Sequence, residues 1–101
     1  PQETGTKTGI RWWQQGDIKI ISDKDFTASA LHYTVAEMDE GNEKDQRHPE
    51  QLNKSKYTNL YIDQQMTGVG GIDSWSWDAE ALPKYRVDYK DREFVFYIIN
   101  K

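Results

Sequence analysis

The sequence predicts an all-β fold, an antiparallel β-sandwich, and three observations carry that reading. Short runs rich in Ile, Val, Tyr, Trp and Phe alternate apolar with polar residues. Turn signals built on Gly, Asp and Asn separate these runs at spacings of roughly ten residues. A helix-start signal occurs in one short segment, whereas an α/β fold alternates its strands with helical patterns of about 10–15 residues. Six or seven short strands and a single helical element therefore fit one antiparallel unit, taken as residues 1–101. No internal repeat is present.

Residues 1–9 are polar with two glycines, Gly5 and Gly9, and read as an extended lead-in. Ile10-Arg11-Trp12-Trp13 and Ile18-Lys19-Ile20 flank Gln14-Gln15-Gly16-Asp17, which predicts a hairpin turning at Gly16, with Ile18 and Ile20 on one buried face. Trp12 and Trp13 point oppositely on a strand, so one of them faces the core. Phe26, Ala28 and Ala30 alternate through Phe26–Tyr33 as a half-buried strand does. Thr34-Val35-Ala36-Glu37 matches a capping box: the Thr hydroxyl takes a first-turn amide, and the Glu reaches back to the cap's own amide. A helix of two turns is expected there. Asp39–Arg47 is too polar to pack and reads as an exposed loop, and His48 before Pro49 stays off helical geometry. Tyr57–Asp63 is the clearest strand, with Thr58, Leu60 and Ile62 on one side. Gly68-Val69-Gly70-Gly71 gives the backbone unusual freedom ahead of Asp73-Ser74-Trp75-Ser76-Trp77. Tyr85–Tyr89 and Glu93–Ile99 then predict a closing hairpin around Lys90-Asp91-Arg92.

Only 36% of the residues are apolar, but 13% are aromatic: four Trp, six Tyr and three Phe. Each buried aromatic removes about 150–250 Å² from water, so a few large side chains must hold the core. The net charge of −4 is scattered, with no basic stripe to track phosphates, which argues against a nucleic-acid partner. No cysteine is present, which excludes disulfides, thiolate metal sites and Cys nucleophiles. No run approaches the ~20 apolar residues that cross a bilayer, so no membrane partner is expected. Pro1–Gly5 has neither the cationic start nor the apolar run of a signal peptide and begins as an excised fragment does.

Carboxylate pairs such as Asp73 with Asp78, or Asp88 with Glu93, have the chemistry for glycoside hydrolysis, but nothing in their spacing selects them over solvated surface acids. No catalytic residue is assigned. His32 and His48 are far apart and lack ligand-spaced partners, so no metal site is assigned either. Gly68, Gly70 and Gly71 lack the following helix and the Lys-Ser/Thr pair of a phosphate loop. Trp75 and Trp77, two apart after a Gly-rich loop, fit two readings: indoles packed in the core, or flat apolar faces offered to a sugar ring.

Gly68-Val69-Gly70-Gly71-Ile72-Asp73-Ser74-Trp75 closely resembles the Gly-hydrophobic-Gly-Gly-Asp-Asp-Ser-Trp signature near the C-terminus of the long β-galactosidases, the lactases of glycoside hydrolase family 2. Pro1-Gln2-Glu3-Thr4-Gly5, Ile10-Arg11-Trp12 and Leu60-Tyr61-Ile62-Asp63 are similar to further segments of that family in the same order, so the resemblance spans nearly the whole chain. It implies the C-terminal part of a galactose mutarotase-like β supersandwich, in a small-chain region whose catalytic glutamates lie on a barrel elsewhere. It implies that Trp75 binds substrate by stacking on the sugar leaving group, with Gly70, Gly71, Asp73 and Ser74 shaping the loop. It implies galactosides, the catalytic barrel and the other domains of the parent chain as partners; strands left without the missing part of the supersandwich would present open edges, so pairing with a further copy of the chain is expected. No cofactor is expected in this segment, magnesium and sodium belonging to other domains of such enzymes. Two departures stand out: Ile72 replaces the first Asp, and Trp77 occupies a position often held by Gly or Pro. The residues leave open two other roles, an autonomous carbohydrate-binding module and a purely structural or oligomerisation domain. Localisation stays open between cytoplasm and periplasm.

Overall fold

The computed structural model describes residues 5–68, 73 and 75–100. In order, the elements are β1 (Lys7–Gln15), β2 (Ile18–Leu31), a one-turn helix α1 (Val35–Met38), a 3₁₀ turn (Pro49–Gln51), β3 (Asn59–Asp63), a second 3₁₀ turn (Pro83–Tyr85) and β4 (Phe96–Asn100). The strands form one open, antiparallel four-stranded sheet, so the all-β antiparallel class read from the sequence holds.

β2 organises the sheet because it is long enough to serve three partners. Gly16, at φ +57, closes the β1–β2 hairpin where Gln15 faces Ile18, and Trp13 faces Ile20 across the ladder. β4 pairs with Ile18–Ser22 and β3 with Thr27–Leu31. Since β1 runs along the other side, β3 and β4 share one edge of β2, end to end. Between the Trp12–Ile21 and Ile10–Phe26 pairs, β2 has four residues, Ser22 to Asp25, against the single Arg11. This bulge carries the strand across the gap between β3 and β4. The Arg11–Asp25 ion pair spans it at 2.5 Å, but both side chains are exposed, so the pair adds little stability.

The core is small. Ile20, Phe26 and Ala28 are buried, with Ile10, Trp13, Leu60, Ile62 and Phe94 packed against them. Cross-strand pairing explains the grouping: Ile10 faces Phe26, Trp13 faces Ile20 and Ile62 faces Ala28. Trp13 is thus the inward member of its pair, while Trp12 stays exposed with Lys19 over its ring. Ile18 does not share the burial of Ile20, because it lies at the turn end of the strand. Nor is the Phe26 segment half-buried as its alternation suggests, since Thr27 and Ser29 on the opposite face are buried as well.

Four strands stand among the described residues where the sequence suggested six or seven. Two differences account for this. The Ile18 and Phe26 runs are one strand joined through the bulge. Tyr85–Tyr89 is not a strand: Pro83 opens a 3₁₀ turn, and the Tyr85 carbonyl is taken by the Gly68 amide at 2.7 Å. The expected closing hairpin is therefore absent among the described residues, and β4 pairs with β2 instead.

The α1 cap forms as read: Thr34 Oγ1 accepts the Glu37 amide at 3.1 Å. The helix is one turn rather than two. The Glu37 carboxylate does not return to Thr34 but accepts from the Asn53 amide at 2.8 Å and from Arg47 at 3.1 Å. Arg47 also donates to the Glu37 and Asp39 carbonyls, satisfying the helix's last acceptors. The Asn53 amide, first, and then Arg47 hold the Glu37 carboxyl below its ordinary pKa. His48 is extended before Pro49, as expected.

β4 differs from the other strands. Phe96, Tyr97, Ile98 and Ile99 are all exposed, Ile98 to 65%, so both faces are open, and its edge away from β2 has no partner strand among the described residues.

Candidate functional site

The segment from Gly68 to Tyr85 is closed at its base. The Gly68 amide donates to the Tyr85 carbonyl, and Gly68 lies against Tyr85 and Ala81 so closely that a Cβ placed on it would stand 2.7 Å from Tyr85 Cβ. Ala81 is buried, and Arg86 holds it there by donating from Nε to the Ala81 carbonyl at 2.6 Å while pairing with Glu80 at 2.8 Å. Glycine is required here because Gly68 meets Tyr85 and Ala81 with no room for a side chain.

Asp73 organises the far part of this loop. Its Oδ1 accepts the amides of Trp75, at 2.9 Å, and Ser76, at 2.7 Å, and its Oδ2 accepts the Ser76 hydroxyl at 2.7 Å. The Ser76 carbonyl then takes the Ala79 amide at 3.1 Å. A carboxylate stabilises such a turn better than a neutral acceptor because charged hydrogen bonds are roughly twice as strong. The same bonds, those from Ser76 foremost, hold the Asp73 carboxyl below its ordinary pKa. A general acid needs the opposite displacement, so neither Asp73 nor Glu37 is tuned for that role.

The consequence of this turn is the presentation of two indoles. Trp75 is 85% exposed and Trp77 86%, while Ser76 between them is half-buried. Neither ring packs in the core formed by the described residues. Burial of one such ring is worth about 4–6 kcal/mol gross at ~25 cal/mol per Å². The turn thus carries two exposed indoles on hydrogen-bonded backbone.

Among the sequence-predicted site residues, Asp73 and Trp75 stand together in this turn. Gly70, Gly71 and Ser74 lie outside the described residues. Two contributors escaped the sequence reading, Arg86 and the Gly68–Tyr85 contact. Arg86 sat inside an apparent strand alternation, and no local spacing links Gly68 to Tyr85, so no sequence signal pointed to either. A concavity of about 290 Å³ lies at the β2 bulge between Ser22–Asp25, Gln64 and Glu93–Val95. Several of its polar groups are spent internally: Ser22 donates to the Val95 carbonyl, Gln64 to that of Glu93, and Asp25 pairs with Arg11. Among the described residues no group of three or more His, Asp or Glu is placed to hold a metal ion.

Comparison with known proteins gives the family of this all-β chain. The family described as Beta galactosidase small chain matches residues 1–98, and the chain belongs to it. The protein named Beta-galactosidase of Staphylococcus xylosus is 31% identical over 100 residues, covering 95% of this chain and 9% of that protein. The Beta-galactosidase of Photobacterium profundum is 30% identical over 76 residues, covering 75% of this chain and 7% of that protein. The chain thus spans less than a tenth of the length of these relatives. No solved structure matches.

Proposed function

We propose that this chain is a non-catalytic part of a β-galactosidase that hydrolyses terminal β-galactosides, and that Trp75 shapes the leaving-group side of the sugar site. The observation that carries the reading is the exposed Trp75 indole on a turn fixed by Asp73. A sugar ring has an apolar face that stacks on an indole, and a preorganised ring loses little freedom on binding. The names of the two relatives support the reaction, and the lowered carboxyl of Asp73 supports a loop-holding rather than a proton-transferring role. In this reading the two carboxylates of a retaining mechanism lie on another part of the enzyme.

The test is Trp75→Ala in the intact enzyme. Loss of one stacking contact is expected to lower kcat/KM on lactose by roughly 10-fold or more. Kinetics equal to those of the unaltered enzyme would remove Trp75 from the site.

A second reading, a structural or assembly role, draws on β4. Its two open apolar faces and unpaired edge are suited to adding a strand from another part of the enzyme or from a second copy. The two roles are compatible, since β4 and the Trp75 turn are separate elements.

A further inference from the structure

Trp77 is as open to solvent as Trp75, 86% against 85%, and the turn that fixes one fixes the other. The Asp73 carboxylate accepts from the Trp75 and Ser76 amides and from the Ser76 hydroxyl. The Ser76 carbonyl is tied to the Ala79 amide on the far side of Trp77. Trp77 therefore lies on backbone closed by hydrogen bonds before and after it. An indole is the costliest side chain to leave in water, and its exposure on a fixed turn points to a bound surface.

The surroundings select the chemistry of that surface. Asp78 adjoins Trp77 directly and is exposed, whereas the Glu80 carboxylate is taken by Arg86 at 2.8 Å. A carboxylate beside an aromatic face suits a saccharide, whose hydroxyls donate to it while a ring face stacks. Bases also stack on indoles, but a nucleic acid would bring phosphates against Asp73, Asp78 and Glu80 in a chain of net charge −4.

We infer that Trp77 forms a second stacking surface beside that of Trp75, receiving the second ring of the leaving group, so that the site takes galactosides whose leaving group is a disaccharide or longer. This rests on the reading of Trp75 as the leaving-group contact. Trp75 meets the first ring beyond the scissile bond, and Trp77 the next one outward.

The experiment compares Trp75→Ala, Trp77→Ala and Trp77→Phe in the intact enzyme on lactose and on a β-galactosyl trisaccharide with a two-ring leaving group. Trp77→Ala is expected to lower the ratio of kcat/KM on the trisaccharide to that on lactose by roughly 10-fold, chiefly through KM. Trp77→Phe, which keeps a ring face, is expected to recover most of that ratio. Trp75→Ala is expected to lower kcat/KM on both substrates. An unchanged ratio in Trp77→Ala, with Trp75→Ala impaired, overturns the second surface and leaves the Trp75 reading standing. If neither variant alters kinetics on either substrate, both readings fall. A loss of thermal stability in Trp77→Ala with equal loss on both substrates also overturns the inference, since Trp77 would then be packing against protein.

Discussion

Gly68→Ala is a single methyl added where the structure has no room for it. The new Cβ would stand 2.7 Å from Tyr85 Cβ, 3.2 Å from Ala81 Cβ and 3.4 Å from the Tyr85 carbonyl oxygen. Carbon atoms attract best at about 3.5–4.0 Å, so the closest approach is short by roughly an ångström. Tyr85 Cβ is one bond from the backbone and cannot swing away as a side-chain tip can. The backbone must shift, and the 2.7 Å bond from Gly68 to Tyr85 stretches with it. Inserting a methyl into a filled site costs about 1–3 kcal/mol. The lower chain entropy of Ala in the unfolded state offsets about 0.4–1 kcal/mol of this. A net loss of roughly 1–2 kcal/mol corresponds to a Tm lower by about 4–16 °C for a chain of this size. Thermal unfolding followed by circular dichroism, with Trp emission as a second probe of the Trp75–Trp77 turn, measures both consequences. A Tm equal to or above that of the unaltered chain would refute the closed base of the loop.

Three further perturbations test other parts of the structure. Phe26→Ala, at a position 1% exposed, empties the centre of a small core and is expected to cost about 3–5 kcal/mol in urea unfolding; a loss under about 1 kcal/mol would mean the core lies elsewhere. Asp73→Ala removes the acceptor for the Trp75 and Ser76 amides, whose hydrogen exchange should accelerate at neutral pH, and unchanged protection would dismiss the Asp73 anchor. The pH dependence follows in sign: the Asp73 carboxyl lies below its ordinary 3.8 in the folded chain, so its contribution is complete above that pH and vanishes as pH falls through the depressed value. Ile98→Lys places a charge on the open β4 strand, and it should abolish the concentration-dependent self-association expected of the isolated chain; a chain that sediments as a monomer at millimolar concentration without the substitution would contradict the open edge.

Local chemistry was legible in the sequence wherever a few adjacent residues settle the geometry. Gly16 set the hairpin, Thr34 set the start of α1, and Pro49 kept His48 extended. The fold class followed from alternation and turn spacing. The failures share one physical origin, which is competition from distant partners. Glu37 left the cap because Asn53 and Arg47 offered a charged and two neutral donors. Tyr85 left the apparent strand because Pro83 turned the chain and Gly68 claimed its carbonyl. The burial of Thr27 and Ser29 depends on what covers the second face of β2, which alternation within β2 does not encode. Asp73 as a loop-shaping residue and Trp75 as a stacking residue came from the resemblance alone, and the bond between them was not legible. Composition and spacing favoured core packing for Trp75, whereas its ring is exposed in this chain.

The most direct test of the account is hydrolysis of p-nitrophenyl β-galactoside by this chain alone and by the intact enzyme at matched concentration. Turnover by the intact enzyme, with none by the isolated chain, is the result expected of a non-catalytic part of a β-galactosidase. Turnover by the isolated chain would contradict the account and return the search to its own carboxylates.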